Sequence, residues 1–400
     1  HIFHQYGVDG DGENTPGQLS DDLAHSFFFN FNNRAWERTA RRFSDLAADA
    51  MQAEAKRQQA RIATLKTLPL TDLERLTPPT LGTAHPKFDA LGQRILFSGQ
   101  AEAGRQTLYH YDLNAQALVK HDGVRVTYNR FTNMATSGDR QTLYFTRLDI
   151  QGRDRVRNEV YAYGLGDQRL KRISAHGRYR YFSVHPHGGR MVAVAERAGR
   201  ALLVEVPLDG IGDPSAETVL ATAAQGETFS DPHFSPDGSK MVYVRSTAEG
   251  AELLYRDVIS GRERPLVNWP CTILSPTFHP HAPVLVFSAN RNGVFNLHRL
   301  DLSKPGAAPV PLTHVLGGVF EPDFSPDGSR LAATAYDAKG YYLTVIEDPL
   351  KGALEPPLPA ITPHWRSLPE NLALKASQAA AGPPPPRPGT TYNSFAALGY

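Results

Sequence analysis

Residues 231–245 read Asp-Pro-His-Phe-Ser-Pro-Asp-Gly-Ser-Lys-Met-Val-Tyr-Val-Arg, and nearly the same phrase returns at residues 321–333 as Glu-Pro-Asp-Phe-Ser-Pro-Asp-Gly-Ser-Arg-Leu-Ala-Ala. Within the first copy, Pro236 fixes φ at about −65° and Gly238 permits a positive φ, the combination that a tight turn requires. An apolar run with the composition of a β-strand follows at residues 241–244. The phrase therefore predicts a β-hairpin that occurs at least twice.

Degenerate copies of this hairpin recur along the chain. Alignment on the residue before the turn gives six anchors at intervals of 44–50 residues: Phe88, Met134, Val184, Phe234, Phe278 and Phe324. An apolar strand, a turn rich in Gly, Asn or Asp, and a second strand follow each anchor. A period of this length is typical of propellers or solenoids built from small supersecondary units. Six units fit a closed ring, so the sequence predicts a mainly β protein with a six-bladed β-propeller.

The phrase at 231–238 and 321–328 resembles the WD-like Pro-x-Phe-Ser-Pro-Asp-Gly signature of the TolB-like six-bladed propeller. The match is specific in these two blades and partial in the other four, and it covers about residues 70–358. Leu76-Thr77 stand twelve and eleven residues before Phe88, the same distances as Leu312-Thr313 before Phe324. By this analogy, 73–77 are expected to form an outer strand that closes the last blade near 341–347, with 354–360 as the alternative.

The two flanking segments differ in composition from the predicted propeller. Residues 1–68 are expected to be helical, because apolar side chains between Trp36 and Ala53 recur at three- and four-residue steps and predict a long amphipathic helix over 34–67. Interleaved acidic residues favour packing on a neighbour over binding to a membrane surface. Residues 359–400 form a Pro-rich linker and tail that includes Pro-Pro-Pro-Pro-Arg-Pro at 383–388. We expect the helical segment to be the end of an upstream domain.

Composition excludes several classes of partner and anchor. The formal net charge is +1, which gives no reason to expect nucleic acid or an anionic membrane surface as a partner. There is no run of eighteen apolar residues, and no signal peptide is visible after His1. Cys271 is the single cysteine, so an intramolecular disulfide framework is excluded.

The candidate binding residues stand three positions before the anchors. They are expected at the start of the innermost strand of each blade, where a six-bladed ring brings equivalent positions together at a mouth of the channel: His85, Phe131, Tyr181, Asp231, Ser275 and Glu321. From this set, His85, Tyr181, Asp231 and Glu321 are predicted to bind a ligand, with His85 and Glu321 as neighbours across the junction of the first and last blades. The competing interpretation is that Asp231 and Glu321 cap strands and solvate a water-filled channel.

No catalytic or metal-binding motif stands out. The chain lacks a G-x-S-x-G elbow, a phosphate-binding G-x-x-x-x-G-K-[S/T] loop and paired-cysteine zinc spacing. The pairs His185/His187 and His279/His281 occupy the Ser and Asp places of the turn phrase, so a turn role explains both without zinc. We therefore expect no cofactor and no metal.

The ends of the chain resemble parts of a bacterial envelope family in which a TolB-like propeller joins a metallopeptidase-like helical domain to an outer-membrane β-barrel. Residues 20–68 resemble the closing helices of the peptidase-like part, and the aromatic segment 391–400 resembles the junction to the barrel. The resemblance implies a periplasmic or outer-membrane-associated location. The function predicted is a non-catalytic scaffold that binds a protein or peptide without inserting into the membrane. The alternative is the propeller of a metallopeptidase-like or prolyl-oligopeptidase-like enzyme whose catalytic domain lies outside this chain.

Overall fold

The computed structural model describes residues 42–101, 106–125, 133–151, 155–174, 178–211 and 213–351. The part of the predicted helical segment before residue 42, the alternative closing strand at 354–360 and the tail lie outside these residues. The chain divides into two compact units. One comprises residues up to Asp72 together with 313–316, and the other comprises 73–312 and the residues from 317 onward.

From residue 42 onward, the smaller unit contains the long helix α1 (Phe43–Leu65), within the range over which the sequence predicts a helix. Arg57 and Glu54 form an ion pair of 2.7 Å on its surface, at the i, i+3 spacing that supports an exposed helix. At the end of α1, the carbonyl of Leu65 accepts a hydrogen bond of 2.7 Å from His314 Nε2. The amide of Thr71 donates to the carbonyl of His314 at 2.8 Å. His314 is therefore hydrogen-bonded both to the end of α1 and to the segment that follows the helix.

The larger unit consists, within the described residues, of six antiparallel sheets that follow one another along the chain. The first strand of each sheet is the innermost, and the following strands pair outward in chain order. Each sheet is one blade of a six-bladed β-propeller, as the sequence predicts. The strands are, blade by blade, β1 (Leu81–Phe88), β2 (Arg94–Ala101), β3 (Thr107–Asp112) and β4 (Ala117–Arg125); β5 (Met134–Thr136), β6 (Thr142–Gln151), β7 (Arg155–Gly164) and β8 (Leu170–Arg172); β9 (Tyr179–Val184), β10 (Arg190–Arg197), β11 (Arg200–Pro207) and β12 (Thr218–Thr222); β13 (Thr228–Phe234), β14 (Lys240–Ser246), β15 (Ala251–Asp257) and β16 (Glu263–Trp269); β17 (Ile273–Phe278), β18 (Val284–Ala289), β19 (Asn296–Asp301) and β20 (Val310–Pro311); β21 (Gly318–Phe324), β22 (Arg330–Asp337) and β23 (Gly340–Glu347).

The core lies between neighbouring blades, because each sheet buries both faces. The anchors are part of it: Phe234 packs with side chains of the third and fourth blades, and Phe324 is 1% exposed. Phe88 and Leu343 share one apolar cluster, which joins the first blade to the last. The hydroxyl of Ser288 donates to the carbonyl of Val319 at 2.6 Å and links the fifth blade to the sixth. The ring is therefore closed by side-chain packing.

Among residues 317–351, the last blade has three regular strands, and the chain before the first blade covers its outer side. Leu76 N–H donates to the carbonyl of Leu343 at 2.9 Å, and Leu343 N–H donates to Thr77 Oγ1 at 3.0 Å. The prediction that 73–77 pair with the last blade near 341–347 is thus confirmed. The prediction of a regular strand there is wrong, because the Thr77 side chain takes the place of a backbone acceptor and the ladder does not continue.

The Ser-Pro-Asp-Gly turns explain why the hairpin phrase repeats. In the fourth blade, Ser235 Oγ accepts the amide of Lys240 at 2.9 Å, and the Ser235 carbonyl accepts the amide of Gly238 at 2.9 Å. The last blade repeats both bonds at Ser325, with 3.0 and 2.9 Å. Gly238 has φ +71°, and a Cβ there would collide with the ring of His185 from the turn of the preceding blade. This turn histidine therefore packs between blades, as the sequence interpretation of a turn role requires.

Candidate binding site in the axial cavity

One cavity of about 800 Å³ follows the axis of the propeller. The first strand of every blade contributes to its wall, so the cavity is a property of the ring as a whole. Its turn end is lined by prolines of the hairpin turns: Pro186, Pro236, Pro280 and Pro326. The opposite end, here called the mouth, is lined by residues near the starts of the inner strands, among them Gly82, Arg180 and Phe320.

All four predicted binding residues, His85, Tyr181, Asp231 and Glu321, line this cavity. Ser275 lines it as well, whereas Phe131 lies outside the described residues. The sequence-based position needs one correction. These residues do not stand at the strand starts but part-way along the inner strands, below the mouth.

The reason for this position is a bulge that four blades share. His85, Asp231, Ser275 and Glu321 each precede a proline and have φ between +49° and +57°. In all four blades the strand register shifts at this point. A left-handed conformation is uncommon for a residue other than glycine and costs free energy, so the surrounding strands must hold it in place. Because of this bulge, the side chains of these four residues, two carboxylates, an imidazole and a hydroxyl, line the same axial cavity.

Glu321 and His85 form a pair across the junction of the last and first blades. Glu321 Oε1 lies 2.9 Å from His85 Nδ1, and Glu321 Oε2 accepts the backbone N–H of His85 at 2.6 Å. Oε2 also accepts a hydrogen bond from the Thr334 hydroxyl at 2.9 Å. Burial by itself would raise the pKa of Glu321, but the charge of His85 and these hydrogen bonds outweigh it and lower the pKa to about 2. Glu321 is therefore an ionised group with both oxygens engaged.

Asp231 has the same backbone conformation but a different environment. Its carboxylate accepts hydrogen bonds from the side chain of Ser230 and from the backbone N–H of Ser275 in the next blade. Its Oδ2 is enclosed and has no hydrogen-bond partner among the described residues. Burial raises the pKa of Asp231, and the negative charge of Glu321 adds to this effect. The wall of the cavity thus contains one carboxylate whose hydrogen-bonding capacity is only partly used.

Tyr181 faces the same side of the cavity as Asp231. Burial raises the pKa of the Tyr181 hydroxyl, and the nearby charge of Asp231 raises it further. The phenol therefore stays protonated at neutral pH and can donate a hydrogen bond. Its neighbour Arg180 is half exposed at the mouth and pairs with Glu196 at 2.7 Å.

Sequence reasoning missed a charged cluster at the turn end. Arg140, from the turn of the second blade, donates to the carbonyls of Phe88 at 2.9 Å and Phe324 at 3.0 Å. Its guanidinium also pairs with Asp323 at 2.9 Å, and Lys87 lies 3.4 Å from the same carboxylate. Arg140 thereby spans the turn end from the second blade to the sixth.

His233 lies between this cluster and the mouth. Burial lowers the pKa of His233 to about 4, and the positive charge of Lys87 contributes to the decrease. Its Nδ1 hydrogen-bonds the carbonyl of Phe234 at 2.9 Å. His233 is accordingly a neutral, oriented wall residue at neutral pH. No group of three or more His, Cys, Asp or Glu that could hold a metal ion occurs in the part of the chain that the structure describes.

A row of four aromatic rings lies beside the mouth and is here called the aromatic ladder: Phe295, Phe320, Tyr341 and Tyr336. The sequence analysis did not predict it. Successive ring centres are 4.9, 6.2 and 4.8 Å apart. Phe320 and Tyr341 line the cavity, whereas Tyr336 and Tyr341 are 43% and 45% exposed. The ladder therefore leads from the outer surface of the last blade into the cavity. A motif search misses it because the rings come from separate strands and a loop.

A ring of six antiparallel sheets around an axial cavity defines a six-bladed β-propeller. No protein-family model matches the sequence, and no curated protein matches it. Among solved structures, a protein assigned as TolB from Agrobacterium tumefaciens is similar, with 16% identity, a TM-score of 0.51, and coverage of 62% of this chain and 87% of the other. TolB from Acinetobacter baumannii has 17% identity and a TM-score of 0.48 over 60% of this chain. A puromycin hydrolase has 14% identity and a TM-score of 0.49 over 70% of this chain.

These similarities concern the fold: this chain contains a six-bladed propeller of the TolB type, as the sequence resemblance implies. The chain spans 56% of the Acinetobacter protein and 54% of the puromycin hydrolase, about half the length of each. Within the described residues, α1 is not apolar enough to cross a membrane.

Proposed function

We propose that this chain is a non-catalytic scaffold whose propeller binds a protein or peptide through the axial cavity, with the mouth as the entrance. The observation that carries the proposal is the cavity of about 800 Å³ to which the inner strands of all six blades contribute. Concave sites of this size, with an apolar wall and a few convergent polar groups, are the usual binding sites of proteins. Loops and inner strands of a rigid ring hold such groups in fixed positions.

The four binding residues divide into two roles in this proposal. Glu321 and His85 bind each other through an ion pair and a backbone hydrogen bond. In this proposal they hold the last blade to the first and maintain the shape of the cavity wall. Asp231 and Tyr181 make the contacts to the ligand. Asp231 lines the cavity, and a carboxylate offers only acceptors. It therefore favours binding of a group that donates hydrogen bonds, such as a peptide N–H or an amine.

The place of action that we propose is the bacterial cell envelope, in the periplasm or at the outer membrane. Its support is the sequence resemblance to envelope proteins with a TolB-like propeller, together with the fold. The partner in this proposal is a protein of that compartment that offers an extended segment to the mouth.

The test begins with a displayed library of random peptides selected on the immobilised full chain. The affinity of a selected peptide is then measured by fluorescence anisotropy. We expect Asp231→Asn and Tyr181→Phe each to weaken binding by about tenfold, because each removes one buried hydrogen bond of about 1.4 kcal/mol. Asp231→Asn keeps the size of the side chain and one acceptor oxygen, and an unchanged urea midpoint of the variant checks that the fold is retained.

The matched control is Asp209→Asn, which makes the same chemical change at an exposed position outside the cavity. It should leave the affinity unchanged. Equal affinities for the parent chain and for all three variants would place the contact outside the cavity. Hydrolysis of the peptide by the purified chain, surviving chelator and serine-reagent controls, would contradict the scaffold itself.

A further inference from the structure

The aromatic ladder forms a continuous surface at the mouth. Tyr336 on β22 and Tyr341 on β23 are direct cross-strand partners, and Phe320 on β21 continues the row into the cavity. The three strands belong to one sheet, so the rings are held on a rigid element. Two exposed tyrosines beside two partly buried phenylalanines give an aromatic surface of mutually tilted rings, with interplanar angles of 45–55°.

Acidic groups accompany the ladder on the cavity side. Glu321 follows Phe320 directly in β21, and Asp231 lines the same cavity. At the outer end, Asp337 is already bonded to Arg75 at 2.6 Å. Arg180 also lies at the mouth, where Glu196 pairs with it. Asp231 is therefore an acidic group of the cavity wall that forms no ion pair among the described residues.

An aromatic row with an acidic group at one end suits one kind of ligand. Polyproline II segments bind to aromatic-lined grooves, because their conformation is preformed and little entropy is lost. A basic residue beside the prolines gives such a segment its direction. Four prolines followed by an arginine span about 12 Å in this conformation. The ladder offers ring spacings of 4.8–6.2 Å over three steps, which is a comparable length.

This chain contains such a sequence. Residues 383–388 read Pro-Pro-Pro-Pro-Arg-Pro. They follow β23, the strand that carries Tyr341, with residues 352–382 between them and Lys351. A connection of that length reaches up to about 100 Å when extended and so permits a return to the same sheet.

We propose that residues 383–388 bind to the aromatic ladder of their own chain, with the prolines on Phe320, Tyr341 and Tyr336 and with Arg387 directed to Asp231. The tail then occupies the mouth that the proposed function assigns to the partner, and the inference rests on that function. Tail and partner exclude each other. A partner must displace a tethered competitor whose effective concentration is in the millimolar range.

The experiment uses the full chain and a full-length tail variant in which the five prolines of 383–388 are replaced by glycine and Arg387 by serine. The probe is a fluorescein-labelled synthetic peptide of residues 379–390, and binding is followed by fluorescence anisotropy. We expect the probe to bind the tail variant at least tenfold more tightly than the parent, because the parent site is already occupied. In the tail variant, Tyr336→Ala and Tyr341→Ala should each weaken binding by tenfold or more.

Ile259→Ala is the matched control, since Ile259 is 93% exposed on the fourth blade and lies outside the cavity. It should have no effect on the affinity. Absence of binding to the tail variant, equal binding to parent and tail variant, or insensitivity to both tyrosine changes would each overturn the proposal. A parent chain that is dimeric by light scattering, with a monomeric tail variant, would overturn it in favour of exchange between two copies.

The same tail variant separates this inference from the proposed function. If a library-selected peptide binds it in an Asp231-dependent manner and the 379–390 probe does not, only the inference fails. If neither peptide binds through the cavity, the proposed function fails as well.

Discussion

Glu321→Gln tests whether the His85–Glu321 pair holds the last blade to the first. The change keeps the shape of the side chain and an oxygen for the His85 amide, but it removes the negative charge. The pKa of Glu321 falls from its ordinary value of 4.5 to about 2 in the folded protein. A decrease of this size corresponds to about 3 kcal/mol of folding free energy. Because the side chain is 23% exposed, solvent screening reduces this figure, and we expect a loss of about 2 kcal/mol near pH 7.

The dependence on pH has a definite sign. A carboxylate whose folded pKa lies below its unfolded pKa stabilises the fold fully above the unfolded value, here 4.5. This stabilisation is lost as the pH falls from 4.5 toward 2, because the folded state then also takes up the proton. The difference in unfolding free energy between the parent and Glu321→Gln should therefore shrink steadily over this range.

The assay is urea unfolding followed by far-ultraviolet circular dichroism near pH 7 and near pH 3. Glu347→Gln, at the exposed end of β23, makes the same chemical change and should cost less than about 0.5 kcal/mol at either pH. If Glu321→Gln costs no more than this control near pH 7, the pair does not stabilise the junction. A loss that is equally large near pH 3 would show that the charge of Glu321 is not its source.

Two further predictions concern packing in the blades. Gly238→Ala should lower the free energy of unfolding in urea by about 1–2 kcal/mol more than Gly188→Ala does. The two glycines have nearly the same φ, +71° and +72°, so the backbone cost of the substitution is the same at both sites. Only at Gly238 does the new Cβ collide with the ring of His185. Equal losses would mean that the His185 ring moves aside freely. Phe324→Ala should cost about 3–5 kcal/mol, because this anchor is 1% exposed, whereas Leu91→Ala, at a position 75% exposed, should stay within about 0.5 kcal/mol. Comparable midpoints for these two variants would show that Phe324 is not a core residue.

The blade pattern was predictable because it depends on local chemistry. Pro236, Gly238 and Ser235 specify their turn through backbone conformation and short-range hydrogen bonds, and the same residues at 325–328 specify it again. Counting three residues back from the anchors then predicts that His85, Tyr181, Asp231 and Glu321 lie close together, since equivalent strands meet at the axis. All four line the cavity. The depth at which these side chains lie was not predictable from counting. For His85, Asp231 and Glu321 it depends on the bulge before a proline, a conformation that the residue preceding proline ordinarily avoids.

The features that the sequence did not reveal depend on distant contacts. Arg140 belongs to a degenerate turn of the second blade, yet its partners Phe88 and Phe324 are 52 and 184 residues away. The aromatic ladder likewise joins rings from three strands and a loop. A short window of sequence contains neither arrangement. Only the closed ring brings these groups together.

The contact of Thr77 with Leu343 joins positions 266 residues apart, so the order of synthesis determines when the propeller can close. The ribosome makes residues 73–77 before any blade exists, and their partner strand is the last one of the ring. Until β23 has emerged, the first blade lacks its neighbour on one side, and the apolar cluster around Phe88 stays incomplete. Closing so long a loop costs little more entropy than closing one half its length, but it cannot begin early. The first five blades must therefore stay soluble before the ring closes, and the core between the first and last blades is completed in a final, cooperative step.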